Sequence, residues 1–396
     1  MTDSVRPIRF ALAGLGALAA AAILLVTVVS LWPGHSPAQE RAGYVWTNYG
    51  PRVAVLSVAA VVLAAWAAPS GRSKVIVAII TGLALVGAFV QVGRVVVATV
   101  RAGGSVNLVS ALLLSPDKSR GPDAWAVYHR VDGQDLRVAI WRPAGAARSM
   151  AGAPVMFAIH GGGWIDGNGT AADYGPEATW WTARGWLFVS VDYRLSSPAR
   201  ATWDKSPADV ACALSWTAAN IAGYGGDPTT IVVKGDSAGG NLAINLAYSA
   251  ARHTAVSACA GSVPVPRAVV TSVPVVDPRS AYDHGVPQPA ADPKVFIGNY
   301  LGGTPRQFPD RIRSISSATY LSAAAPPTLI VEPAADGFVP SEAVFAFAAE
   351  AKAAGVDMTI VRIPTTNHFP LYADTLAGQA NRTITFAYLR KLLGRS

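Results

Sequence analysis

The stretch VVKGDSAGGNLA, Val232 to Ala243, passes from β-branched residues through a cluster of small ones into an alanine-rich helical run. Its centre is Gly235-Asp236-Ser237-Ala238-Gly239, a serine with glycine two places before it and two places after it. Small residues at those positions permit a sharp, strained strand-to-helix turn that holds the serine Oγ out from the end of a sheet. The pentapeptide alone is moderately specific. A strand entering it and a helix leaving it favour a nucleophile elbow over a glycine-rich capping turn.

The pattern on either side predicts the sheet that such an elbow needs. WAVYHRV and DLRVAIWRP alternate apolar and polar residues around Asp132-Gly133, the signature of a hairpin at a sheet edge. PVMFAIH and WLFVSVDYR are near-continuous apolar runs, as strands buried on both faces require. Helical segments over Ala208–Ala222, Ala238–Ala251 and Ser341–Ala354 alternate with strands in TIVVKG, RAVVTSVPV, TLIVEP and MTIVRIP. This alternation predicts an α/β fold with a mainly parallel, doubly wound sheet. A Pro-rich insertion, about 277–326, carries Phe296, Tyr300 and Phe308 and is a candidate lid or acyl pocket, although its aromatic residues could equally be packing.

A serine nucleophile needs a base, and the chain has six histidines. His35 falls in the apolar N-terminal part, His129 in the edge hairpin, His160 in a glycine motif, His253 at the end of the elbow helix and His284 in the Pro-rich segment. His368, in PTTNHFP, follows a late strand and completes the chain order serine, acid, histidine. Asp336, in AADGFVP, follows the preceding strand and is the expected acid; Glu332 still stands on that strand. The run MFAIHGGGWIDGNG, Met156 to Gly169, supplies what the oxygen of a tetrahedral intermediate needs. Gly162 and Gly163, with Ala238 after the serine, are the expected oxyanion-hole amides, because glycine lets backbone N–H groups approach a reacting atom closely.

Together, His160–Trp164, Gly235–Asn241, Asp336 and His368 resemble the hormone-sensitive-lipase-like branch of α/β-hydrolase esterases, over roughly Pro154 to the C-terminus. VDYRLSSP is similar to a segment following the fourth strand in that branch, where Asp192 and Arg194 are expected to be structural. Three features depart from the branch. The residues after Leu195 lack its Ala-Pro-Glu continuation, VEPAADGFVP replaces a glycine-bearing approach to the acid, and an apolar N-terminus stands in place of a helical cap. The resemblance implies a serine carboxylesterase acting on short to medium acyl esters through an acyl-enzyme on Ser237, without cofactor or metal. An acyltransferase or deacetylase working on a membrane or envelope component shares that chemistry, and a catalytically dead tethered binding module is the reading from another class.

The apolar excess of the chain, 51% hydrophobic against 14% charged, is concentrated near its start. Uncharged runs at about 10–31, 53–71 and 75–93 are each long enough to cross a hydrocarbon core as a helix. The expected organisation is a membrane domain over 1–101, a linker over 102–121 and the catalytic domain over 122–396. GLGALA, Gly14 to Ala19, mimics a dinucleotide fingerprint but lies inside the first apolar run with no strand before it. Up to Arg101 there are eight Lys or Arg against two acidic residues, so most of the net charge of +8 flanks the apolar runs and does not argue for nucleic acid. Arg6 and Arg9 precede the first run, which places the N-terminus in the cytoplasm and, after three spans, the catalytic domain outside it. A fourth span between Val95 and Ser115 would reverse this, but Arg101, Gly103 and Gly104 oppose it. Cys212 and Cys259 form neither a disulfide framework nor a metal spacing; they are expected as buried thiols, with one bridge as the alternative.

Overall fold

The apolar runs become three helices longer than the runs themselves: α1 (Val5–Leu31), α2 (Pro37–Ala67) and α3 (Arg72–Arg101). A computed structural model describes residues 5–31, 36–67, 72–114, 119–143, 152–369 and 374–394. Among these, α1 from Ala11, α2 and α3 are long and apolar enough to cross a membrane. They pack through small residues: a Cβ on Gly87 would lie 2.8 Å from Thr27 Cγ2, and one on Gly16 would lie 3.4 Å from the Ala60 carbonyl oxygen. Close backbone approach of this kind is what holds apolar helices together in lipid, where burial alone supplies no drive. Leu15, Leu18, Leu25, Val62, Ile79 and Leu83 point outward and are more than half exposed. Arg9 lies over the Trp66 ring and donates to the Trp66 carbonyl at the end of α2.

A fourth helix long and apolar enough to cross a membrane does not form among the described residues. After α3 the chain turns at Gly103 (φ 81°) and makes only the short α4 (Leu108–Leu113), far below the length a bilayer needs. Residues 115–118 of the expected linker and His35 lie outside the described residues.

The sheet contains eight strands among the described residues: β1 (Ala124–Val131), β2 (Gln134–Trp141), β3 (Ala153–Ile159), β4 (Leu187–Val191), β5 (Gly226–Asp236), β6 (Ala268–Ser272), β7 (Thr328–Pro333) and β8 (Met358–Ile363). Their order is β1-β2-β4-β3-β5-β6-β7-β8. β1, β2 and β4 pair antiparallel, whereas β4, β3, β5, β6 and β7 run parallel. The edge hairpin turns where the sequence predicts, with Asp132 at φ 53° and Gly133 at φ 74°. Every residue of β3 and β4 is buried, which explains their lack of alternation. Between and after the strands lie α5 (Gly175–Thr182), α6 (Lys205–Asn220), α7 (Ala238–Ala251), α8 (Pro278–His284), α9 (Pro293–Leu301), α10 (Pro309–Ile315), α11 (Ser341–Ala353) and α12 (Leu376–Leu392). The Pro-rich insertion therefore carries three short α-helices, each opened by proline at its first turn, followed by a 3-10 turn at Ser317–Tyr320.

By internal packing the chain divides into two compact units. One is drawn from Met1–Pro116, Pro333–Asp336 and Arg362–Ser396, the other from Asp117–Glu332 and Gly337–Val361. The first thus combines the apolar helices with α12 and with the loops that carry Asp336 and His368. Within it, the Asn107 N–H donates to Gln379 Oε1 at 2.5 Å, Ser105 N–H to Thr383 Oγ1 at 3.0 Å, and Ser110 Oγ to Asp374 Oδ2 at 2.7 Å.

The cysteines correct the expectation of separate thiols. Cys212 of α6 and Cys259, which lies in an irregular segment after α7 rather than in a helix, form a disulfide with Cα atoms 5.1 Å apart. Their separation of 47 residues hid the pair, because a single bridge leaves no spacing pattern to read.

Candidate active site

Ser237 sits between β5 and α7 at φ 52°, ψ −120°, a conformation that costs a non-glycine residue energy and is kept by its surroundings. Its N–H donates to the Ser272 carbonyl at 3.1 Å, and its carbonyl accepts from Asn241 N–H at 3.1 Å and Val275 N–H at 3.2 Å. The flanking glycines answer to contacts as well as to φ. A Cβ on Gly235 would fall 2.2 Å from the Gly239 carbonyl oxygen, and one on Gly239 would fall 2.1 Å from that of Ile159. Only glycine fits either place. Asn241, buried on α7, donates its amide to the Val275 and Ile315 carbonyls, both at 2.8 Å, and so fixes the helix behind the serine.

The glycine run after β3 lies directly against this turn. A Cβ on Gly161 would be 2.9 Å from the Asp236 carbonyl oxygen and 3.4 Å from Ser237 Cβ. Gly162 and Gly163 adopt φ 102° and 66°, conformations that favour glycine. His160, at the head of the run, is buried and stacked on Tyr193 with ring centroids 4.4 Å apart. Its Nδ1 is 2.8 Å from the Gly161 carbonyl oxygen, and Tyr193 OH donates to the His160 carbonyl at 2.8 Å. Burial pushes the imidazole pKa below its ordinary value, so His160 is a neutral packing group that shapes the loop.

Asp336 and His368 are brought together. His368 Nδ1 lies 2.7 Å from Asp336 Oδ2, with both side chains buried. The two loops are also joined through backbone: Ala334 N–H donates to the Ile363 carbonyl at 2.8 Å and Ala335 N–H to the Thr366 carbonyl at 2.9 Å. Glu332 remains on β7 and is buried, as its position in the strand predicts.

Two side chains next to the serine carry no sequence signal of their own. Tyr174 OH donates a short hydrogen bond to Asp236 Oδ1, and Lys234 Nζ lies 3.8 Å from the same oxygen and 3.6 Å from Glu177 Oε1. Burial, and then the Asp236 charge, raises the Tyr174 pKa well above its usual value and keeps the hydroxyl a donor. Arg194 forks onto Asp209, with Nε to Oδ2 at 2.8 Å and Nη2 to Oδ1 at 2.7 Å, and Asp192 Oδ1 accepts from Ala171 N–H at 2.9 Å, so both are engaged in hydrogen bonds within the fold. Among the aromatic residues of the insertion, Phe296 of α9 lies at the glycine run, since a Cβ on Gly163 would sit 2.3 Å from its Cδ2. Tyr300 is buried and stacked on Trp164 at 4.5 Å, and Phe308 lies under the Arg311 guanidinium at 3.8 Å.

A family model described as BD-FAE matches residues 140–350, more than half of the chain. Esterase LipQ of Mycobacterium tuberculosis is 28% identical over 265 residues, covering 66% of this chain and 61% of that protein. Esterase LipC of the same organism is 30% identical over 199 residues, covering 49% of this chain and 47% of the other. The chain therefore spans less than two thirds of the length of these curated relatives. Among solved structures, Thermogutta terrifontis esterase 2 phosphonylated by sarin matches with a TM-score of 0.56 and 25% identity over 69% of this chain and 96% of that one. The fold they share is that of the α/β-hydrolases.

Proposed function

The chain belongs to the BD-FAE family, and from that premise we propose that it is a membrane-anchored serine carboxylesterase hydrolysing short to medium acyl esters. Ser237 attacks the ester carbonyl, His368 takes its proton and returns it to the leaving alcohol, and Asp336 orients the imidazole. The oxyanion is held by the N–H groups of Gly162, Gly163 and Ala238, and water then releases the acid from the acyl-enzyme. The observation that carries this reading is the strained backbone of Ser237 at φ 52°, with the glycine run packed against it. Strain of that kind persists where it serves a function. The esterase names of the relatives support the reaction class, and the packing of Phe296 against Gly163 supports a pocket for a compact acyl group.

α1, α2 and α3 form the anchor, each crossing the bilayer once. The catalytic domain is extracytoplasmic. The first-helix charges Arg6 and Arg9 support this orientation, and so does the Cys212–Cys259 disulfide, because such bonds persist in oxidising compartments. A nitrophenyl ester series from acetyl to palmitoyl, run on purified full-length protein in detergent and in lipid, tests the substrate class. Rates that peak at butyryl or shorter support it, and a rise through palmitoyl refutes it. Product that forms only with an added alcohol acceptor would instead identify an acyl transferase.

A further inference from the structure

α2 is longer than a span requires, and its first half is not apolar. From Pro37 to Pro51 it reads PAQERAGYVWTNYGP, and the uncharged run begins only at Val53. Pro51, which cannot donate a backbone hydrogen bond within the helix, marks the junction. Glu40, Gly43 and Thr47 recur at spacings of three and four, so they share one face of the helix, with Asn48 next to Thr47, and all four are buried. A buried polar stripe on a helix is costly unless each group is hydrogen-bonded. The partners here are the residues on either side of His368.

Asn367 N–H donates to Thr47 Oγ1 at 2.8 Å, and the Thr47 hydroxyl lies 3.1 Å from Asn367 Oδ1 and 2.7 Å from the Gly43 carbonyl. Asn367 Nδ2 donates to the Glu40 carbonyl at 3.3 Å and lies 3.4 Å from Glu40 Oε2. Asn48 Nδ2 donates to the Phe369 carbonyl at 3.0 Å and to the Tyr44 carbonyl at 3.1 Å. Gly43 faces both loops at once, since a Cβ there would lie 3.0 Å from Asn367 Cβ and 3.4 Å from Ala335 Cβ. Ala335 adjoins Asp336 as Asn367 adjoins His368. The histidine loop is strained as well: Thr365, a buried β-branched residue, is held at φ 60°. A loop in that conformation needs external restraint, and the α2 hydrogen bonds fall on the residues immediately before and after His368.

We infer that the N-terminal half of α2 is a positioning element of the catalytic apparatus: Thr47 and Asn48 hold the His368–Asp336 pair in register, and the membrane module completes the enzyme rather than only tethering it. This rests on the proposed roles of His368 and Asp336. It acts through those two residues, without touching substrate.

The test uses full-length protein in lipid nanodiscs, with Thr47→Val, Thr47→Ser and Asn48→Leu measured for nitrophenyl butyrate hydrolysis and for the rate of inactivation by a fluorophosphonate. Thr47→Val and Asn48→Leu are expected to lower kcat about 10- to 100-fold with KM within twofold, and Thr47→Ser to recover to within about threefold, because misplacing a reacting group by an ångström costs on that scale. In an Asp336→Asn background, Thr47→Val should slow inactivation no further, since residues acting as one unit are not additive. Rates for Thr47→Val and Asn48→Leu within twofold of the parent overturn the inference. An equal further loss in the Asp336→Asn background also overturns it, as that is the behaviour of general destabilisation. His368→Ala separates the two claims: if it is active the proposed chemistry fails, whereas if it is inactive and the α2 variants are normal, only the positioning role falls.

Discussion

Alanine at Gly162 and at Gly163 should fail for different reasons, and the structure says which. At Gly163, φ 66° lies in the left-handed region, where an L side chain costs roughly 1–2 kcal/mol. The added methyl would also lie 2.3 Å from Phe296 Cδ2, and forcing the ring aside costs about 1–3 kcal/mol more. At Gly162, φ is 102° and the methyl would lie 2.1 Å from the backbone carbonyl oxygen of Asn168, which no side-chain rotation relieves. Gly162→Ala is therefore the more destabilising, with the larger fall in Tm. Gly163→Ala should keep a folded domain but displace an oxyanion donor, worth about 10²- to 10³-fold in kcat. Adding Phe296→Leu to Gly163→Ala should restore the part of the lost Tm that comes from the ring clash, leaving the part due to positive φ, with kcat still low. The assay pairs thermal unfolding with nitrophenyl butyrate kinetics. A Gly163→Ala protein with kcat within threefold of the parent would refute the assignment of its amide, and a Gly162→Ala protein as stable as Gly163→Ala would refute the steric argument.

Asp336→Asn should cost about 10⁴-fold in kcat with little change in stability, because the imidazole loses the partner 2.7 Å away, whereas Glu332→Gln should stay within tenfold; the opposite ranking in steady-state kinetics would identify Glu332 as the acid. Burial depresses the pKa of His160, so the folded state favours the neutral ring and the unfolded chain takes up a proton first as pH falls. That contribution is whole above the ordinary histidine value of about 6.5 and is lost below it, so unfolding free energy should drop between pH 7.5 and 5, less steeply in His160→Gln; equal slopes in denaturant titrations would contradict this. A C-terminal tag should be digested by protease added to intact cells, with Cys212 and Cys259 paired on a non-reducing gel, and protection of the tag until permeabilisation would put the domain in the cytoplasm.

The parts of the site that could be read from sequence are those where the backbone allows one residue. Gly235 and Gly239 tolerate no Cβ, and Gly162 and Gly163 need positive φ, so the motif and the geometry are the same constraint seen twice. The edge turn at Asp132-Gly133 was legible for the same reason. Contacts between side chains distant in the chain were not. Thr47 meets Asn367 across 320 residues, and nothing in either local sequence names the other. Tyr174 and Lys234 belong to no local motif, and only the fold brings them beside Asp236. The expected boundary at residue 101 followed the apolar runs, whereas packing groups α12 and the loops of Asp336 and His368 with the N-terminal helices. Composition registers membrane affinity and is silent on which later segments a helix will hold.

The proposed chemistry depends first on Ser237 being a nucleophile activated by His368. Incubating the full-length protein with a fluorophosphonate probe and mapping the adduct by peptide mass spectrometry tests it most directly. One stoichiometric adduct on Ser237 is expected, with none in Ser237→Ala and labelling slowed by orders of magnitude in His368→Ala. An adduct on another residue, or ester hydrolysis that survives Ser237→Ala, would contradict it.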